Sequence, residues 1–168
     1  GAAPAVAAGT GRRGRAGAGM KSRHGLEIRA ATGADAPGLG LLLAAAGVAL
    51  PAAALLPRLE ALRQGAGTAL VAVEWGPPSG LVTLHWHRTL LEDRPVARID
   101  LLLVGPEDRR RGLGRLLVEA AAQAARNAGC AMLELAAPSG EASLPGFAHA
   151  LGFAPAGPGF VRALRKRR

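Results

Sequence analysis

The stretch from Val96 to Ala136 constrains this chain most, because a strand pattern, a glycine-rich turn, a helix pattern and a second strand pattern follow one another there. The apolar run Ile99 to Val104, interrupted only by Asp100, reads as a strand that begins at Pro95 or Val96. Beyond the turn, Leu113, Leu116, Leu117, Ala120, Ala121 and Ala124 recur at helical spacing, and Gly129 suits the C-cap. Cys130 to Ala136 is extended again. A strand, a helix and a strand in this order make a crossover between two parallel neighbours in one sheet.

The remaining segments fill in that sheet. Leu26, Ile28 and Ala30 alternate with Glu27 and Arg29, as in a half-buried strand. Thr32 and Asp35 stand at capping-box spacing ahead of Leu39, Leu41, Leu42 and Leu43, which predicts a helix. A second helix is expected from about Pro57 through Leu59, Leu62 and Arg63 to Gly65. Two strands, Thr68–Trp75 and Gly80–Arg88, flank a four-residue hairpin loop, Gly76 to Ser79. A short helix over about Leu144–Leu151 and a strand over about Gly159–Leu164 close the chain. The fold class is therefore α/β, with one mixed, mostly antiparallel sheet whose fourth and fifth strands are parallel and central, flanked by helices.

With 168 residues, 49% hydrophobic and 20% charged, the chain can bury one core and is not globally disordered. Its net charge of +9 would point to nucleic acid were it spread evenly. Instead, ten of the 21 basic residues lie in residues 1–24 and 161–168, which hold no acid. The rest carries 11 basic residues against all 12 acids, a net −1, so the folded body is not a basic nucleic-acid domain. The expected organisation is a disordered basic tail over 1–24, one domain over 25–164 and a basic tail over 165–168. Cys130 is the only cysteine, which forbids an internal disulfide and points to a reducing cytoplasm. Arg12-Arg13 precedes no apolar segment of about 7–15 residues, so export is not expected. The run Leu39–Ala54 is broken by Gly47 and Pro51 too early for a membrane span.

The junction Val104 to Arg115 is an anion cradle in outline. Its glycines admit close backbone approach, the helix start presents unpaired N–H groups, and Arg109, Arg110, Arg111 and Arg115 add positive charge. Leu117 occupies the third glycine position of a dinucleotide fingerprint, and the Lys-Ser/Thr of a P-loop is missing. What remains is Arg109-x-x-Gly112-x-Gly114. This pattern resembles the pyrophosphate signature Q/R-x-x-G-x-G/A of the GCN5-related N-acetyltransferase (GNAT) family. The Leu101–Pro106 lead-in, the helix from Gly112 to Ala128, the strand Cys130–Ala136 and Leu151-Gly152-Phe153 match that family in order, so the resemblance covers about Leu26 to Leu164.

The resemblance implies the acyl-coenzyme A N-acyltransferase fold and acetyl-coenzyme A as cofactor. Pyrophosphate contacts would fall on Arg109, Arg110, Arg111, Gly112, Leu113, Gly114 and Arg115, and the pantetheine arm would pair along Leu102, Leu103 and Val104. It implies acetyl transfer to a primary amine of a small molecule or peptide by direct attack in a ternary complex. A second copy of the chain is a further candidate partner; specific nucleic acid and membrane are not expected. The rival readings are a non-catalytic acyl-coenzyme A sensor and a basic-tailed nucleic-acid- or ribosome-associated protein on the same fold.

The chemistry needs a base, since freeing a lysine-like ammonium of its proton at pH 7 costs about 4.6 kcal/mol. Asp100, the one charge in the apolar run Ile99 to Val104, is the first candidate. His85 and His87, at i and i+2 on one sheet face, are the others. Two histidines could also open a metal site, but no carboxylate or cysteine set completes it, and no metal is expected. Many family members place Phe-Tyr before Leu-Gly-Phe, the tyrosine protonating the departing thiolate; here Phe147 is followed by Ala148, and the chain has no tyrosine. Ser143, His149 or water is left to supply that proton, or the thiolate leaves unassisted.

Overall fold

The computed structural model describes residues 20–21, 25–136, 144–157, 160 and 162. Six strands lie in chain order in one sheet: β1 (Met20–Lys21), β2 (Glu27–Ala30), β3 (Gly67–Val73), β4 (Gly80–His87), β5 (Val96–Val104) and β6 (Met132–Leu135). Neighbours from β1 to β5 are antiparallel, and β5 with β6 is parallel, in register from Val96↔Met132 to Ile99↔Leu135. Among the described residues β6 ends the strand order; the strand expected over about Gly159–Leu164 falls largely outside them.

Alternation gives the sheet two faces, and each is covered by helices. On one side α1 (Ala36–Ala45) and α2 (Ala52–Gln64) bury Leu39, Leu43 and Leu55 against Val71 and Leu81. On the other, α3 (Leu113–Asn127) buries Leu117 and Ala121 against Val82, Leu84 and Ile99, joined by Phe147 of α4 (Leu144–Ala150) and by Leu151 and Phe153 beyond it. The expected crossover is thus α3, between the parallel strands β5 and β6.

The Thr32/Asp35 pairing forms and caps a 3₁₀ turn, Gly33–Asp35, that runs directly into α1. Thr32 donates its N–H to Asp35 Oδ2 at 2.8 Å, and Arg29 grips the same buried carboxylate with Nη1 and Nη2 at 2.7 and 2.9 Å. The Arg29 hydrogen bonds hold the Asp35 carboxyl below its ordinary range, against the opposing effect of burial. A lowered folded-state pKa contributes stability above the unfolded value, about 3.9, and that contribution disappears as pH falls through the folded value. In urea titrations the stability gap between the wild type and Asp35→Asn should therefore be constant above about pH 5 and close as the pH falls below about 4.

Three expectations are corrected. Met20 and Lys21, assigned to the N-terminal tail, pair with Ile28 and Glu27 as β1. The second helix begins at Ala52 rather than Pro57, because Pro57 lies on an exposed side where the unpaired Ala53 carbonyl can meet water, while Leu55 anchors the same helix in the core. The β3–β4 loop starts after Val73, which releases Glu74 and Trp75 from the strand. Among the described residues no helix is long and apolar enough to cross a membrane.

Candidate active site

The cradle takes its shape from its glycines and arginines. Pro106–Asp108 forms a 3₁₀ turn, Arg109 is extended (φ −64°, ψ 150°), and both Arg110 (φ 66°) and Gly112 (φ 77°) are left-handed. That conformation costs an ordinary L residue about 1–2 kcal/mol and a glycine little, so Gly112 is required here and Arg110 is strained. Gly112 caps α3 without a side-chain hydrogen bond, and the first carbonyl it offers accepts from Leu116. The N–H groups of Leu113, Gly114 and Arg115 thus have no hydrogen-bond partner among the described residues, at the positive end of a 15-residue helix. A Cβ on Gly114 would stand 3.3 Å from the Phe147 ring, so this position also lets α4 close on the cradle.

The arginines divide. Arg109 and Arg110 are exposed and make no ion pair among the described residues. Arg111 donates to Glu74 Oε2 at 2.9 Å and to Asp108 Oδ1 at 3.0 Å, and Arg115 to Glu119 Oε1 at 3.2 Å. Glu74, first of all, and then Asp108 raise the Arg111 guanidinium still further above its ordinary value. Leu113 is buried by its side chain, which leaves only its backbone to face a ligand.

Between cradle and sheet centre, β5 changes face. Thr83 pairs with Leu101 but Leu84 pairs with Ile99, so Asp100 has no partner on β4 and forms a β-bulge. Ala97 and Ile99 join the core under α3, whereas Leu101 and Leu103 join the one under α1 and α2. Alternation puts Arg98 and Asp100 opposite Ala97 and Ile99, on the face of His85, and the bulge keeps Leu101 on that same face, so the alternation is reversed from Leu101 onward. Asp100 Oδ2 lies 2.7 Å from His85 Nδ1, with the side chains 42% and 40% exposed, open enough for an acceptor to reach. The His85 ring stacks on His87, centroids 5.7 Å apart. Arg98 is paired with His85 in the ladder and makes a loose 3.8 Å ion pair with Glu134 of β6.

The β5–β6 ladder ends at the same level. Its last steps are the Ile99↔Leu135 pairing and the Ala136 N–H donated to the Ile99 carbonyl at 3.0 Å. Backbone groups along a strand alternate between its two sides, so from Leu101 to Val104 half of them face away from β4, with no paired strand among the described residues. Four residues of strand put the Asp100–His85 pair about 13 Å from Val104. A ligand anchored on the α3 N-terminus would run along Leu102, Leu103 and Val104 to reach it. These features fit a pyrophosphate followed by an amide-bearing arm, which is the chemistry of coenzyme A.

Other expected residues lie apart from this arrangement or outside it. Ser143 is not among the described residues. His149 is exposed in the last turn of α4, and no hydrogen bond ties it to the Asp100–His85 pair. Among the described residues no three His, Cys, Asp or Glu side chains converge as a metal site. Burial raises the Cys130 thiol above its ordinary value, partly opposed by Arg94, which leaves it a core residue. A cavity of about 440 Å³ lies away from the pair, along the outer side of α3, where Arg115, Glu119 and Arg126 face Leu133 and Phe153. Glu74 escaped the sequence reading, which placed it inside a strand; its nearness to Gly76-Pro77-Pro78 is the signal that could have freed it.

The model of the acetyltransferase (GNAT) family matches residues 43–153. Among curated proteins no sequence matches. Among solved structures, an acetyltransferase from Trypanosoma brucei is 26% identical, with 83% of this chain and 99% of that one covered and a TM-score of 0.73. A ribosomal-protein-alanine N-acetyltransferase from Brucella melitensis is 20% identical (83% and 99% covered, TM-score 0.70), and an aminoglycoside N-acetyltransferase in complex with CoA is also 20% identical (83% and 95% covered, TM-score 0.72). By the family match, with the fold and cradle in agreement, the chain belongs to the GNAT family of acetyltransferases, whose members use acetyl-coenzyme A.

Proposed function

We propose that this protein transfers an acetyl group to a primary amine of a small molecule or peptide by direct attack in a ternary complex, with His85 as the base and Asp100 as the residue that positions it. The observation that carries the proposal is the 2.7 Å Asp100–His85 pair at the level where β5 and β6 part. Acetyl-coenzyme A, when bound, supplies the acetyl thioester. Asp100 accepts the Nδ1–H of His85 and so selects the tautomer whose Nε2 carries the lone pair. That nitrogen takes the proton from the incoming amine, directly or through water. The half-open sheet face around it, with His87, Arg98 and Glu134, is where an acceptor would approach. Direct attack agrees with the state of Cys130: a buried thiol with a raised pKa is a poor covalent carrier.

Two comparison proteins are named as N-acetyltransferases, one acting on a ribosomal protein's alanine and one on aminoglycosides, so the fold serves amines of very different size. The weakly charged body favours a small soluble amine over a polyanionic acceptor, in a cytoplasmic setting. Thiol release in the presence of acetyl-coenzyme A, followed over a panel of amino acids, polyamines, aminoglycosides and peptide N-termini, should single out an acceptor class. Measured coenzyme binding without thiol release or acetylated product across the panel would overturn the transferase reading and leave a coenzyme-binding protein.

A further inference from the structure

Beside the cradle sits a polar network that the acetyl transfer itself does not use. Arg110 holds a left-handed conformation (φ 66°) that an L side chain adopts under strain, and such a residue persists where its surroundings over-determine it. The next residue, Arg111, supplies that constraint. Its Nη2 donates to Glu74 Oε2 at 2.9 Å and its Nη1 to Asp108 Oδ1 at 3.0 Å. Glu74 directly follows β3 and its side chain is only 17% exposed, so its carboxylate is set by the sheet; Asp108 belongs to the cradle's own 3₁₀ turn. The arginine therefore fastens the turn to the sheet while two carboxylates offset its charge.

We propose that Glu74 is a positioning residue for the coenzyme's pyrophosphate, acting through Arg111. The carboxylate keeps the Arg111 guanidinium off the anion and holds the left-handed turn that aims the Leu113, Gly114 and Arg115 N–H groups. Among the described residues Arg109 and Arg110 are left as the free cations of the cradle. The proposal rests on acetyl-coenzyme A as the cofactor. It also reverses the simplest electrostatic expectation, in which an acid beside a phosphate site repels the ligand and sequesters an arginine, so that removing it tightens binding.

Calorimetric titration of the full chain with coenzyme A separates the two signs. Glu74→Gln should weaken binding about fivefold, the loss expected for one constraining hydrogen bond. The melting temperature of the unliganded protein should stay nearly unchanged, since ion pairs of this exposure add little to global stability. Coenzyme A and its dephospho form, which share the pyrophosphate, should lose affinity by the same factor. If Glu74 acts through Arg111, the double variant with Arg111→Gln binds no worse than the weaker single variant. Unchanged or tighter binding by Glu74→Gln, or additive losses in the double variant, would overturn the proposal. Should Glu74→Gln fail to fold, Glu74→Asp, which keeps the charge but shortens the reach, should show a smaller loss of the same sign, and wild-type affinity in a folded Glu74→Asp would overturn it. Wild-type protein that binds no coenzyme would overturn the cofactor reading as well, whereas wild-type binding with an unaffected variant overturns only the role of Glu74.

Discussion

Replacing His85 by Gln lowers turnover on the identified acceptor by about 10²–10⁴-fold, with little change in coenzyme affinity, since general-base catalysis contributes about that much. A base works deprotonated, and the acid-side limb that it gives the wild-type pH–rate profile should vanish in His85→Gln. Asp100→Asn should also cost a large factor, because an amide in place of the carboxylate no longer selects the His85 tautomer. The double variant should fall little below the worse single one, as expected for groups that act as a unit. If Asp100 instead works alone through water, Asp100→Asn loses the limb and His85→Gln keeps most of the rate. Wild-type turnover in both variants would remove the pair from the mechanism.

Coenzyme binding should stabilise the wild-type protein by about 2.7 kcal/mol at a coenzyme concentration of about 100 Kd, a melting shift of about 5–10 °C for a domain of this size. Gly112→Val should abolish most of that shift. No atom lies within 4 Å of a Cβ built on Gly112, so the loss comes from the backbone, where φ 77° is costly for a β-branched residue and the helix start must move. Gly112→Asn, which tolerates the left-handed region, should keep a substantial part of the shift. Gly114→Leu should lose it for a different reason, by driving Phe147 from the cradle. An undiminished shift in Gly112→Val would move the anion site away from the start of α3.

The elements that were legible in the sequence owe their form to neighbouring residues. The leucine and alanine spacing of α3, the alternation of β2 and the Thr32/Asp35 turn need no distant partner to be recognised. Where distant contacts decided, the reading slipped. Pro57 reads as a helix start by local rules, yet it is carried inside α2 because Leu55 is pulled into the core. Met20 and Lys21 lack periodicity, and they become extended through the ladder offered by Ile28 and Glu27.

The candidate site divides in the same way. The sequence by itself determined the cradle, since a strand, two glycines at fixed spacing and a helix start are adjacent in the chain and create unpaired N–H groups wherever they occur. It also named Asp100, His85 and His87, as separate candidates. Only the tertiary structure decided that His85 and Asp100, 15 residues apart, form one pair, and that Glu74 reaches Arg111 across 37 residues. The physical reason is register: the partner of a strand residue depends on how two ladders align, and the bulge at Asp100 shifts that alignment by one residue and reverses the faces of the strand beyond it.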